Sequence, residues 1–323
     1  MRLPPGVDGG PLPDGATAPD AQTPDRDAAP PPDLGTPPSS TCRGYATRYW
    51  DCCKAHCGWE GNTTNLDGTL ASCSVADAPQ SSFDQASACD SDAPSAGYTC
   101  FSNVPVAVSE TLSYGFAAVP AEGDICGRCY RIDFDGTGHY DAADPGSQQL
   151  AGHTMIVQAT NIGHDVGGGQ FDLLIPGGGV GLFNACTRQW GLESDAPLGA
   201  QYGGFLTACQ AEGGSHDDVR ACVRNRCDTV FDEPHLAELR AGCEWFVDWF
   251  KAADNPNLDY AEVECPAALV AISGLDRRPL DDIAMCEGGG DGGGDGGDCD
   301  CGWAAGGCGD DDGSRCWDVC CGE

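Results

Sequence analysis

Two aspartates stand in settings that suggest chemistry. Asp51 lies in TRYWDCC, residues 47–53, between a threonine-arginine-aromatic run and two adjacent cysteines. Asp172 lies in QFDLLIPGGGVG, residues 170–181, ahead of an apolar run, Pro176 and three consecutive glycines. A carboxylate in either place can be a buried structural acceptor, a surface charge or a catalytic acid or base, and the residue types alone leave all three open. Other chemistries are excluded by the pattern. There is no G-x-x-x-x-G-K-[ST] phosphate loop and no G-x-S-x-G nucleophile elbow. The glycines after Pro176 permit positive φ and a close approach of backbone to a ligand. His139, His153 and His164 are scattered, with no H-x-x-x-H and no cysteine at ligand spacing, so they read as surface or loop residues and no metal is expected.

Whatever these carboxyls do, cysteines must hold the elements around them. The chain has 22 cysteines in 323 residues, an even number far above what a reducing compartment leaves unpaired. This implies a disulfide-stapled protein that is secreted or otherwise extracytoplasmic. Cys126 and Cys129 form a C-x-x-C, but no second pair follows with suitable histidine spacing, and the motif lies in a strand-like run and not at a helix start. Neither zinc nor redox chemistry is favoured, and no cofactor is expected. The start MRLPPGVDGG shows no apolar signal segment, and no run is long and apolar enough to span a membrane.

The formal net charge is −34. Residues 41–286 alone carry 34 acids against 13 bases. Such a surface repels nucleic acid and anionic lipid and suits a neutral or cationic partner.

Composition divides the chain into four parts. Residues 1–40 are rich in Pro, Asp and Ala, with almost no large apolar side chain, and read as a disordered linker. Residues 41–286 are long enough for one well-buried domain. Residues 287–298, EGGGDGGGDGGD, form a Gly/Asp linker, and residues 299–323 form a small six-cysteine module that disulfides must hold together. Trp303 and Trp317 of that module either stack on sugar rings or fill its small interior.

Within the main domain, CYRIDF (129–134), TMIVQATNI (154–162) and CEWFVDWF (243–250) are enriched in β-branched and aromatic residues and read as strands. Helices are expected at 217–227, 234–242 and 265–274, from acids or proline at their starts and glycine at the ends of the last two. Cys222 and Cys227 are placed to staple the first of these regions to itself. The pattern favours a mainly β barrel with short helices and disulfide-stapled loops. Asn62-Thr63-Thr64 matches a glycosylation sequon.

Several ordered motifs together resemble glycoside hydrolase family 45, the small endoglucanases that cut β-1,4-glucan. They are TRYWDCCKAHCGW (47–59), FDLLIPGGGVGLFNACTRQWG (171–191), QYGG (201–204), WFVDWFKAADNP (245–256) and ECPAALVA (264–271), and the likeness spans about residues 42–278. The resemblance implies a six-stranded double-psi β-barrel with an open groove, acting as a monomer on a β-1,4-glucan substrate. It assigns Asp51 as general base and Asp172 as general acid of an inverting hydrolysis, for which the carboxyls stand about 6.5 to 9.5 Å apart. Burial beside Leu173 and Leu174, with the charge of Asp165, is expected to raise the pKa of Asp172.

By family pairing, Cys52 joins Cys186 and Cys53 joins Cys89, fastening Asp51 to two parts of the barrel. Tyr49 and Trp59 resemble sugar platforms. Thr47 and Lys54 resemble polar contacts near the cleavage point, and Asp165 matches an acid on a mobile loop; the competing readings are a core Trp59 and a solvated Lys54. The chain departs from the family pattern at Gln170, where relatives often have histidine, and at Gly127 and Leu275, which replace a common cysteine pair. About twenty extra residues lie between Cys209 and Cys243. The expected function is endo-β-1,4-glucan hydrolysis. The alternatives are a non-hydrolytic, expansin-like wall-loosening protein, whose relatives lack the base, or a carbohydrate-binding protein acting through its C-terminal module.

Overall fold

Seven strands form one sheet that closes on itself. They are β1 (Cys42–Tyr49), β2 (Val106–Ala107), β3 (Leu112–Pro120), β4 (Cys129–Gly138), β5 (Thr154–Gly163), β6 (Gln170–Leu174) and β7 (Pro256–Val263). In this computed structural model, residues 41–121 and 123–278 are described. Their order is β2-β3-β5-β4-β7-β1-β6, and a further β3–β6 pairing completes a six-stranded ring with β2 outside it. Two pairs in the ring are parallel, β1 with β6 and β3 with β5; the other neighbours are antiparallel. The fold is the expected six-stranded double-psi β-barrel. The tracts 1–40, 287–298 and 299–323, with Trp303 and Trp317, lie outside the described residues.

Strand sequences match their places in the ring. β3, LSYGFAAVP, is buried at every position but its last, as expected of a strand covered on both faces. β1 alternates: Ala46, Arg48 and Trp50 are buried, while Tyr45, Thr47 and Tyr49 on the other face are partly accessible. Arg48 is not left as an unpaired buried charge. Its guanidinium reaches Asp254 at 2.9 Å and lies over the Phe246 ring at 5.8 Å, tying β1 to the segment that leads into β7.

The helices are α1 (Pro145–Gln149), α2 (Cys186–Gln189), α3 (Gly204–Glu212), α4 (His216–Val230), α5 (Ala237–Asp248) and α6 (Ala267–Ser273). The helix expected at 217–227 is α4, and it starts with a capping box in which Ser215 and Asp218 satisfy each other's backbone N–H. The one expected at 265–274 is α6, ended by Gly274 at φ 74°.

The expected strand at 243–250 is instead the second half of α5. Leu239, Gly242, Cys243, Phe246 and Val247 are buried at helical spacing, so the aromatic content reflects one packed helix face and not a pleat. Gly242 does not end the helix, because a Cβ there would lie 2.7 Å from the Val104 side chain. It is the contact point of α5 with the loop below.

Seven disulfides join pairs of described cysteines, including Cys52–Cys186 and Cys53–Cys89. Cys126 and Cys129 bond to Cys57 and Cys265, which removes both thiols from metal or redox use. Cys222 and Cys227 do not staple their region to itself; they tie α4 outward, to Cys209 of α3 and Cys243 of α5. The extra residues therefore build a helical layer in which α4 packs against α3 and α5. Gly127 and Leu275 do face each other, a Cβ on Gly127 lying 3.3 Å from that of Leu275. No helix among the described residues is long and apolar enough to cross a membrane.

Candidate active site

The parallel β1/β6 ladder places Tyr45 opposite Gln170, Thr47 opposite Asp172 and Tyr49 opposite Leu174. Tyr45, Thr47, Tyr49, Gln170 and Asp172 therefore share one face of the sheet. Asp51 follows two residues after the end of β1, and three features fix it. Its carbonyl accepts from the Ala185 N–H at 2.9 Å, and its carboxylate Oδ1 accepts from the Cys53 N–H at 2.9 Å. Cys52 between them stands at φ 62°, a left-handed conformation that a non-glycine residue keeps only when its surroundings hold it. The Cys52–Cys186 bond to α2 and the Cys53–Cys89 bond supply that hold.

The glycines of PGGG bring backbone against backbone, and this corrects the reading that they admit a ligand. A Cβ on Gly178 would meet the Tyr49 N–H nitrogen at 2.8 Å, and one on Gly204 of the QYGG turn would meet the Gly177 carbonyl at 1.9 Å. Trp50 N–H donates to Gly179 O at 2.7 Å. Two family motifs, PGGG and QYGG, thus form a clamp around the end of β1, immediately ahead of Asp51.

Both acids are pushed towards neutral pH. Burial raises Asp51 to about 6 against the opposing hydrogen bond from Cys53 N–H. Burial also raises Asp172 to about 7. The Thr47 hydroxyl, donating to Asp172 Oδ1 at 2.7 Å, and the Arg48 charge oppose the rise, while the charges of Asp165 and Asp51 add to it. The Tyr49 hydroxyl is pushed well up by burial and by the charges of Asp51 and then Asp172, so it lies within electrostatic reach of both carboxyls. Asn161 donates to it at 3.1 Å.

The remaining expected site residues fall into two groups. Asp165 is exposed on the loop between β5 and β6, where its charge reaches Asp172. Lys54 is neither solvated nor free: its ammonium donates to the Phe83 and Gln85 carbonyls at 2.6 and 2.9 Å and lies 3.5 Å from the Trp59 ring centroid. It braces the partly accessible Trp59 ring by a cation–π contact. Desolvation lowers its pKa to about 8. The sequon residue Asn62 is also engaged, its amide donating to His56 O at 2.9 Å.

Several side chains were not anticipated. Tyr45 donates to Gln170 Oε1 at 2.9 Å and stacks on His139, with ring centroids 3.8 Å apart, beside the well-exposed Tyr140. Phe183 is exposed two residues before Ala185, the donor to Asp51, and Tyr202 is exposed in the QYGG clamp. A signal existed for two of these: Phe183 and Tyr202 are aromatics within recognised motifs. A cavity of about 680 Å³ also lies under the 163–169 loop, lined in part by Tyr130, Phe171, Tyr260 and Gln170. Asp51 and Asp172 do not line it.

A family model described as "Glycosyl hydrolase family 45" matches residues 43–276. "Endoglucanase B" of Cellvibrio japonicus is 56% identical over 245 residues, covering 75% of this chain and 47% of that protein. "Putative endoglucanase type K" of Fusarium oxysporum is 38% identical over 238 residues, covering 72% and 53%. The chain thus spans about half the length of these two relatives. A crystal structure of a cellulase from the Antarctic springtail Cryptopygus antarcticus superposes with a TM-score of 0.57 at 33% identity, covering 74% of this chain and 98% of that one.

Proposed function

The chain belongs to glycosyl hydrolase family 45, and from that premise we propose that it is an exported endo-β-1,4-glucanase working by single-displacement inversion. The observation that carries the reading is the pair Asp51 and Asp172, fixed on adjoining barrel segments, each with its pKa raised by burial into the range where one can be ionised and the other protonated. Asp51, the lower of the two, removes a proton from a water molecule as its oxygen attacks the anomeric carbon. Asp172, the higher, delivers its proton to the departing glycosidic oxygen. One C–O bond forms as the other breaks, and the two carboxyls exchange protonation states, to be reset from solvent.

The surrounding residues have positioning or binding roles in this proposal. Thr47 and Tyr49 hold the acid and the space between the carboxyls. Trp59, braced by Lys54, offers a ring face to a pyranose, and Asp165 approaches from its loop. The substrate is a neutral β-1,4-linked glucan, which suits a strongly acidic chain, and seven disulfides suit an oxidising compartment.

The test is release of reducing ends from carboxymethylcellulose by the wild type, Asp51→Ala and Asp172→Ala. Wild-type release that falls by about three orders of magnitude in each variant supports the reading. No release from the wild type on any β-glucan would leave a non-hydrolytic wall-loosening or binding role.

A further inference from the structure

Gln170 sits at the centre of a hydrogen-bonded chain whose direction can be read without seeing hydrogens. Two donors converge on its Oε1: the Tyr45 hydroxyl at 2.9 Å and the Gly167 N–H at 3.0 Å. A backbone N–H can only donate, so the atom it meets is the amide oxygen and the other amide atom is the nitrogen. That nitrogen donates to Thr47 Oγ1 at 3.0 Å. With this contact filled by a donor, the Thr47 hydrogen is directed to Asp172 Oδ1, 2.7 Å away. Asp172 Oδ2 has no hydrogen-bond partner among the described residues.

We propose that Gln170 is a positioning residue that fixes where Asp172 carries its proton, and that it does so only while the 163–169 loop is in place. With Oδ1 committed to accepting from Thr47, the acidic proton resides on Oδ2, the oxygen left for substrate. The polarity originates in Gly167 of the loop that also carries Asp165, and Gln170 N–H donates back to Gly167 O at 3.1 Å, closing a small ring. Loop position and productive protonation are therefore linked. If the loop lifts, the amide loses the donor that defines its orientation, and the proton can move to Oδ1 and point at Thr47.

The charged and titratable groups that act on Asp172 are Arg48, Tyr45, Tyr49 and Asp51 from β1 and its extension, and Asp165 from the loop. β3 presents only Ala117 and Ala118 opposite β6. Gln170 itself stays neutral at every pH, so it acts on the acid through hydrogen-bond direction and not through charge.

This inference rests on the proposed role of Asp172 as general acid, and the experiment separates the two. The pH dependence of kcat is measured on a soluble β-glucan for the wild type, Gln170→Leu, Gln170→Glu, Gln170→His and Asp172→Ala, with thermal melts as a folding control. Gln170→Leu frees the Thr47 hydroxyl. It is expected to lower kcat about ten-fold and move the basic limb to higher pH, since the carboxylate loses a committed donor. Gln170→Glu reverses the chain, because its carboxylate accepts from Thr47, and is expected to lower kcat about a hundred-fold with the same direction of shift. Gln170→His keeps an acceptor for Gly167 and a donor for Thr47, so it should hold kcat within a few-fold of the wild type.

Wild-type activity and pH profile in Gln170→Leu, with Asp172→Ala inactive, would overturn the inference and leave the function intact. Equal loss in Gln170→His and Gln170→Leu would also overturn it. An active Asp172→Ala would overturn the reading beneath it. If Gln170→Leu does not fold, the contrast between Gln170→His and Gln170→Glu decides.

Discussion

Asp51 and Asp172 are chemically identical side chains, and their neighbours act on them differently. Burial raises both; a backbone N–H bond opposes it at Asp51, while at Asp172 the Thr47 hydroxyl and Arg48 charge oppose it and the charges of Asp165 and Asp51 add to it. A kcat/KM profile measured between pH 4 and 9 should therefore be a bell with flanks near about 6 and about 7, the apparent values of a coupled pair. The same shift has a cost in stability. An acid whose folded pKa is raised resists folding once ionised, so Asp172 weighs on the fold progressively as pH rises from its ordinary carboxylate value through about 7. Asp172→Asn should melt above the wild type at pH 8, with the difference closing towards pH 4. The sequence displayed both aspartates through their motifs. It named Thr47 and Gln170 but not the bonds that link them to Asp172, because Thr47 meets both only through the register of two strands more than a hundred residues apart.

At the scale of elements, the parallel β1/β6 ladder sets Asp172 beside Thr47, and the loop leading into β6 adds the charge of Asp165 to it. Asp165→Asn removes a charge that raises Asp172, so its basic limb should move to lower pH, in the direction opposite to that expected for Gln170→Leu. The Lys54 brace makes a separate prediction. Lys54→Met keeps the apolar stem but loses the ammonium on the Trp59 ring and on the Phe83 and Gln85 carbonyls, and should raise KM several-fold while changing kcat little. Strands β4 and β5 and helices α4 and α6 were legible because their local pattern and caps agree with their burial. Residues 243–250 were not. Cys243, Trp245, Phe246 and Val247 have strand-like propensity, and the close contact of Gly242 with Val104, invisible in the sequence, lets the helix run through them. The PGGG run was recognised as requiring close approach, but its partner, the QYGG turn, is a matter of tertiary packing.

Across the whole molecule, charge and disulfides set the working conditions. With a net charge of −34, the chain should meet an anionic polymer against repulsion. Initial rates on carboxymethylcellulose should rise between low and moderate salt, whereas rates on neutral lichenan should stay flat; a rise on both would point away from substrate charge. The barrel and its stapling were legible because 15 of the 22 cysteines, together with the ordered motifs, fall within residues 42–278. The outward pairing of α4 was not, since spacing alone does not choose a partner. The account as a whole depends on water attacking opposite the departing oxygen. The most direct measurement is the anomeric configuration of the first product, followed by proton NMR in the first minutes of hydrolysis of a soluble cello-oligosaccharide. The account requires the α-anomer to appear first and then mutarotate; initial release of the β-anomer would contradict it.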